Sequence, residues 1–209
     1  MKYSREALTE LVKINMEESA GQYGGDNVSV VNGVGVEHYI CSKLPEAMVK
    51  VFMAAPPYLL EQSDACKLLQ PERFQDGSGR VILPDDLLKM ARFKMKGWRR
   101  AVTQFMDDTH SAAELQSNPY TMGGAAKPAV IISNIADGKR ILRYYSLPAE
   151  LRNHEIEEAL YVKIPDLSVP VEINEILLPS VTYSAAAMVY EIMGEPERGA
   201  FMQSRVSVA

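Results

Sequence analysis

Four groupings of side chains in this chain have the residue types for chemistry. His38 and Cys41 stand three positions apart and could share a helix face as zinc ligands. A zinc site takes about four ligands, however, and the remaining histidines, His110 and His154, fall in loops or at edges. The pairs Asp85-Asp86 and Asp107-Asp108 carry the carboxylates for acid–base work. Adjacent residues on a helix point apart, so the first pair reads instead as charge set against a helix terminus. Gly33-Val34-Gly35 lacks the third glycine and the lysine of a phosphate cradle. The fourth grouping is the richest: Arg92, Lys94, Lys96, Arg99 and Arg100 put five positive charges into nine residues, enough to attract an acidic partner or a DNA backbone. No serine beside a histidine or an acid forms a nucleophile motif. Neither a catalytic residue, a metal nor a cofactor is expected.

The basic grouping lies in a segment, Arg80 to Arg100, whose pattern predicts two elements. Val81-Ile82-Leu83-Pro84-Asp85-Asp86-Leu87-Leu88 reads as an apolar approach and then a helix start, with proline in the first turn and two acids against the positive helix end. From Ala91 the period is two. Ala91, Phe93 and Met95 point to one face of a strand and Arg92, Lys94 and Lys96 to the other, until Gly97 and Trp98 break the alternation. Two readings of the cationic face stand side by side: a contact surface, or a solvated face paired with acids such as Glu157 and Glu158 on a neighbouring strand. Trp98 suits a core, although a tryptophan after glycine at a strand end is also where interface anchors sit.

The remaining elements frame this segment. A helix is expected over about Ser4 to Glu17, with Ser4 as its cap and Ala7, Leu8, Leu11, Val12 and Ile14 as its apolar stripe. Gly21, Gly24 and Gly25 open a loop, and Val28-Ser29-Val30-Val31 leads to a helical stretch over Val36–Cys41. A second helix is expected after a Ser42 cap, with Pro45 in its first turn, until Pro56-Pro57 stops it; Tyr58 to Leu69 adds a turn or two. Asp107 to Lys127, holding Asn118-Pro119 and Gly123-Gly124, reads as a long polar loop with too few apolar residues to order itself. Strands are expected over Pro128–Ile135, Lys139–Ser146 and Glu157–Ile164, the first two joined by a hairpin at Ala136-Asp137-Gly138. Helices follow over Val171–Leu178, Val181–Met193 and, past Gly194, from Glu195 to about Val206.

These elements predict an α+β protein, a helical body from both chain ends with an inserted antiparallel four-stranded β lobe. The expected parts are an N-terminal helical part, 1–79, a β lobe with its long loop, 80–166, and a C-terminal helical part, 167–209, packing on the N-terminal helices. The chain has 209 residues, 47% hydrophobic and 23% charged, enough for a sizeable core. Its net charge of -5 excludes a nucleic-acid binder of the usual basic kind, so any DNA contact must be local. No apolar run approaches the ~18 residues of a spanning helix, and the first residues lack the apolar core of a signal peptide. A soluble protein made in the cytoplasm, with Cys41 and Cys66 as free thiols, is the expectation.

The order of several motifs resembles a known family. Ala54-Ala55-Pro56-Pro57-Tyr58-Leu59-Leu60-Glu61, Leu83 to Leu88 with Phe93 to Arg100, Asn118-Pro119-Tyr120 and Tyr144-Tyr145-Ser146-Leu147-Pro148 are similar to small structural proteins of gut Bacteroidales phages and prophages. Leu178 to Glu195 resembles the helical end of head-to-tail connector proteins of crAss-like, podovirus-type phages. The resemblance implies a virion protein made in the host bacterial cytoplasm, with no membrane partner. It would form a ring homo-oligomer of about twelve copies, a dodecamer matching a portal. Its partners would be the portal protein, other tail ring proteins and passing genomic DNA, the last without sequence-specific binding. Candidate assembly or channel contacts are then Arg92, Lys94, Lys96, Trp98, Arg99, Arg100, Asn118 and Tyr120. Another virion or capsid auxiliary protein, or a non-catalytic bacterial interaction module, fits the same elements.

Overall fold

A computed structural model describes residues 1–23, 30–31, 34–118, 120–135, 137–145, 147 and 154–207, and for 18–23, 30–31 and 34 the backbone alone. Gly24, Gly25, Val28, Ser29, Gly33, Pro119, Ala136, Ser146 and Pro148, which entered the sequence reading, lie outside the described residues. In chain order the elements are β1 (Lys2–Tyr3), α1 (Arg5–Tyr23), β2 (Val30–Val31), β3 (Val34–Gly35), α2 (Val36–Ala54), β4 (Ser63–Asp64), β5 (Pro71–Arg73), β6 (Gly79–Ile82), β7 (Leu87–Met95) and β8 (Met106–Asp107). They continue with α3 (Ser111–Glu114), β9 (Val130–Asn134), β10 (Arg140–Tyr144), β11 (Ile156–Lys163), β12 (Val171–Glu172), α4 (Leu178–Ile192) and α5 (Pro196–Ser204); short 3-10 turns cover Pro57–Leu59 and Leu115–Ser117. The class is α+β. Among the described residues no helix is long and apolar enough to cross a membrane.

The chain divides into two compact units: Met1–Glu61 with Ile164–Ala209, and the intervening Gln62–Lys163. The inserted unit thus begins at Gln62 rather than at residue 80, because β4 pairs with β11 and β5 with β6. In the first unit α4 packs against α1, α2 and α5. Helix α2 buries Val36, Ile40, Leu44, Ala47, Met48 and Val51, a three-to-four spacing that keeps one stripe inward. It is one helix, not a short stretch followed by a second one capped at Ser42. Pro45 sits inside it and cannot donate to the carbonyl four residues back, that of Cys41. The Arg5 guanidinium takes the vacant role, donating to Cys41 O at 3.1 Å. Ser42 caps nothing; its hydroxyl donates to Tyr39 O.

Ser4 caps α1 as expected, its Oγ accepting from the Ala7 amide at 3.2 Å. Tyr190 Oη donates to Met16 O at 2.8 Å inside the core, joining α4 to α1. Helix α4 ends at Gly194, φ +76°, where the amides of Gly194 and Glu195 return to the carbonyls of Glu191 and Tyr190. The helix expected over Val171–Leu178 is absent. Val171 and Glu172 pair with β1, and the Asn174 side chain accepts from the Ile176 amide, making a turn that delays the helix to Leu178.

The single four-stranded sheet expected for the inserted unit is replaced by two sheets. One has the order β5-β6-β10-β9-β8, the other β4-β11-β7. The hairpin at Asp137-Gly138 joins β9 and β10, with Gly138 at φ +73°, but β7 pairs with β11 instead of joining them. Both sheets feed one core of Val81, Leu87, Met90, Phe93, Met95, Trp98, Val130, Leu142, Tyr144, Ala159 and Tyr161. The helix expected at Pro84-Asp85-Asp86 is a turn, closed by the Leu87 amide on Pro84 O at 3.2 Å. Proline and aspartate serve turns as well as helix starts, and the leucines that follow belong to β7.

The Asp107–Lys127 segment also departs from expectation, since its polar side chains hold its own backbone. Asp107 accepts from the Thr109 amide and hydroxyl, and His110 Nδ1 from the Ala112 amide. Gln116 is buried; its Nε2 donates to Ala112 O at 3.1 Å and its Oε1 accepts from the Gly123 amide at 2.8 Å. A segment without an apolar stripe is ordered here by side-chain-to-backbone bonds.

Gly79 marks the tightest approach in the inserted unit. A Cβ there would lie 2.2 Å from Tyr144 Oη and 2.5 Å from Glu72 O, inside contact distance of a buried ring and of backbone. Gly79→Ala should therefore lower unfolding free energy by about 2–3 kcal/mol, read as a lower urea midpoint at unchanged slope.

Candidate assembly site

The cationic face of β7 forms as the alternation requires. Ala91, Phe93 and Met95 are buried, and Arg92, Lys94 and Lys96 point away from the core. The alternation starts at Ala91 because β7 is bulged there: Arg92 pairs with Leu160 and Met90 with Tyr161, which leaves Ala91 as the extra residue. A second bulge, on β11, places Glu157 between the pairs Ile156–Met95 and Glu158–Lys94. Two consecutive acids would otherwise point to opposite faces, and the bulge lets both serve cations. Arg92 pairs with Glu158, Lys94 Nζ lies 2.8 Å from Glu157 Oε1, and Lys96 Nζ lies 2.7 Å from Glu155 Oε2. The hydrogen bond to Glu155, reinforced by its charge, raises the Lys96 pKa above the ordinary lysine value.

Three of the five clustered cations are thus matched one to one by carboxylates, and the remaining two differ. Arg99 and Arg100 are exposed and have no ion-pair partner among the described residues. Between the two groups Trp98 is only 3% exposed and meets Phe93 edge to face at 5.9 Å, so it anchors the core and offers no surface to a partner. Asn118 is exposed, but its Oδ1 is engaged by the Tyr120 amide at 2.9 Å. Tyr120 is 96% exposed. The Arg99 amide donates to Ala125 O at 2.9 Å, which places the arginine pair against the segment that carries Tyr120.

The other candidate groupings remain separate. Among the described residues no three His, Cys, Asp or Glu side chains come together as a metal group. Asp86 accepts from Tyr161 Oη at 3.3 Å and has Lys163 at 3.5 Å, a tie between the turn before β7 and β11. Cys41 and Cys66 are both free thiols; burial, with the Asp64 side chain beside it, pushes the Cys66 thiol up to about 11.

One feature left no trace in the sequence pattern. Tyr144 Oη and His154 Nδ1 lie 2.7 Å apart, both residues buried, and the buried His154 Nε2 has no partner among the described residues. If the tyrosine donates to Nδ1, one polar group, Nε2–H, goes unmet. If the histidine donates, both the Nε2 lone pair and the tyrosine O–H lack partners, so the first arrangement is favoured. Burial holds the His154 pKa below 6.5, with the Arg73 charge adding to the shift, and raises the Tyr144 pKa. The pair lies ten residues apart in a chain whose other histidines are unrelated to it, and no spacing rule connects them. No protein-family model matches the chain, and no curated protein is detectably similar to it.

Two outcomes follow from this geometry. A double-mutant cycle on Lys94→Ala and Glu157→Ala should give a coupling of about 0.5–1 kcal/mol that shrinks in high salt, as expected for a partly exposed cross-strand pair. The folded chain also resists protonation of His154, whereas the unfolded chain protonates it near 6.5. Between the lowered pKa and 6.5 the unfolded state therefore binds more protons. Stability should fall as pH drops through that window and level off below it. Chemical denaturation across pH 7 to 4 should show this slope, and His154→Asn should remove its contribution.

Proposed function

We propose that the chain is a structural virion protein, a ring subunit of the head-to-tail connector of a crAss-like, podovirus-type phage. It would join portal to tail around the DNA channel. The observation that carries this reading is the interrupted architecture together with the motif order described above. Helices from both chain ends form one packed unit, and a β unit is inserted between them. A ring subunit needs two different surfaces that meet head to tail, and two separately folded units supply them. Assembly on the portal would set the number of copies, about twelve.

The charge arrangement favours a conduit over a DNA-binding module. The net charge is -5, and the ladder on β7 and β11 neutralises three of the five clustered cations, leaving a small local positive feature. A wall that held many phosphates would retard DNA passage. The experiment is reconstruction of assembled particles together with DNA titration of the purified chain. The expected result is a closed ring of this protein at the portal-proximal tail and no nanomolar duplex binding at physiological salt. A single unrepeated copy in the particle, or absence from it, overturns the reading.

A further inference from the structure

The helical unit carries an open groove of about 550 Å³ lined by Tyr58, Leu60, Glu61, Glu172, Glu175 and Ile176. Two large apolar side chains stand exposed in this largely polar lining, Tyr58 at 76% and Ile176 at 59%. The rim selects the partner's charge: the ammonium of Met1, which also lines the groove, donates to Ile173 O, while Glu61, Glu172 and Glu175 have no ion-pair partner among the described residues, and Lys2, opposite Glu172 in register, makes no ion pair with it. The occupant therefore combines cations with a ring or other apolar group.

The inserted unit presents that combination. Arg99, Arg100 and Lys127 are exposed and without ion-pair partners among the described residues, and Tyr120, on the stretch of chain that bonds Arg99, stands almost wholly in solvent. Backbone bonds from Arg99 to Ala125 O and from Lys127 to Gly124 O tie two of the cations to one folded segment, and Arg100 follows Arg99 directly. Arg92, Lys94 and Lys96 are already matched, and this edge is the part of the basic grouping left for a partner.

We propose that the groove of one copy receives the Arg99–Arg100 edge and Tyr120 of a second copy. The contact is head to tail, three carboxylates facing three cations around an apolar centre. It rests on the connector reading only in taking copies of this chain to associate in that way.

The test is sedimentation of the full chain at millimolar concentration and low salt. One variant reverses the groove (Glu61→Lys, Glu172→Lys, Glu175→Lys) and another reverses the edge (Arg99→Glu, Arg100→Glu, Lys127→Glu). Each alone should self-associate at least about tenfold more weakly than the natural sequence. Their equimolar mixture should recover association, because the basic groove of one takes the acidic edge of the other, and the reverse contact is the natural one. Tyr120→Ser, at a position too exposed to affect folding, should weaken association as well. A natural sequence that stays monomeric, reversals without effect, or a mixture no tighter than its components would overturn the proposal. So would reversal of the edge that removes only weak DNA binding. Incorporation into particles separates the two readings. A ring that survives both reversals leaves the connector reading and removes this contact, whereas recovered association in a chain absent from particles does the opposite.

Discussion

The register of β7 on β11 is the constraint on which the inserted unit depends. One face of β7 supplies Phe93 and Met95 to the core, and the other carries Arg92 and Lys94. A slip of one residue would drive two cations into the core and push two fully buried apolar side chains into water, far outweighing any change in the ion pairs. Burial therefore sets the register. The carboxylates of β11 and Glu155 before it are worth little each in water, yet in this register they match Arg92, Lys94 and Lys96 one to one. The bulge at Glu157 is part of that arrangement, since it turns a second consecutive acid to the cationic face.

This division of labour explains what was legible in the sequence. The alternation from Ala91 to Lys96, the Asp-Gly hairpin, the Ser4 cap and the Gly194 stop are local signals, each with a local cause, and each is present in the fold. The cross-strand match of Glu157 and Glu158 to the cations was also readable, because opposite charge on neighbouring strands needs no knowledge of the remaining topology. The choice between one sheet and two was not. It depends on which strands share hydrogen bonds, and β7 has an alternation that would suit either neighbour. Pro45 and the Pro84-Asp85-Asp86 turn misled for a related reason. Proline and aspartate mark helix starts, helix interiors rescued by a distant donor, and turns alike, and only the Arg5 guanidinium or the Leu87 amide decides between them.

Of the candidate assembly residues, the sequence located the cationic grouping but could not divide it. Arg92, Lys94 and Lys96 alternate on a strand and so meet a neighbouring strand's acids, whereas Arg99 and Arg100 follow Gly97, beyond the reach of that ladder. Trp98 between them points inward, because the turn at Gly97, φ +99°, reverses the chain before the tryptophan. A composition count sees five cations together; the fold separates three that help to hold the β unit from two that face solvent. The groove on the helical unit was invisible for a different reason. Tyr58 belongs to the first chain segment and Ile176 to the last, and nothing in either segment indicates the other.

The Tyr144–His154 pair shows the same unit tolerating a cost that its core composition could have avoided. A phenylalanine and a leucine would fill that space without an Nε2 that lacks a partner among the described residues, and a half-satisfied buried polar pair is generally worse than an apolar one. What the pair provides is direction. A 2.7 Å hydrogen bond fixes the His154 ring relative to Tyr144, and Tyr144 in turn lies over Gly79 so closely that no side chain fits there. Apolar contacts are non-directional, whereas this bond, between the β10 end and the residues before β11, has a preferred geometry. Because β11 begins two residues after His154, with Glu155 between, the bond lies beside the start of that strand. Burial sets the register of β11 on β7, and the bond adds a directional tie beside the first residues of that strand.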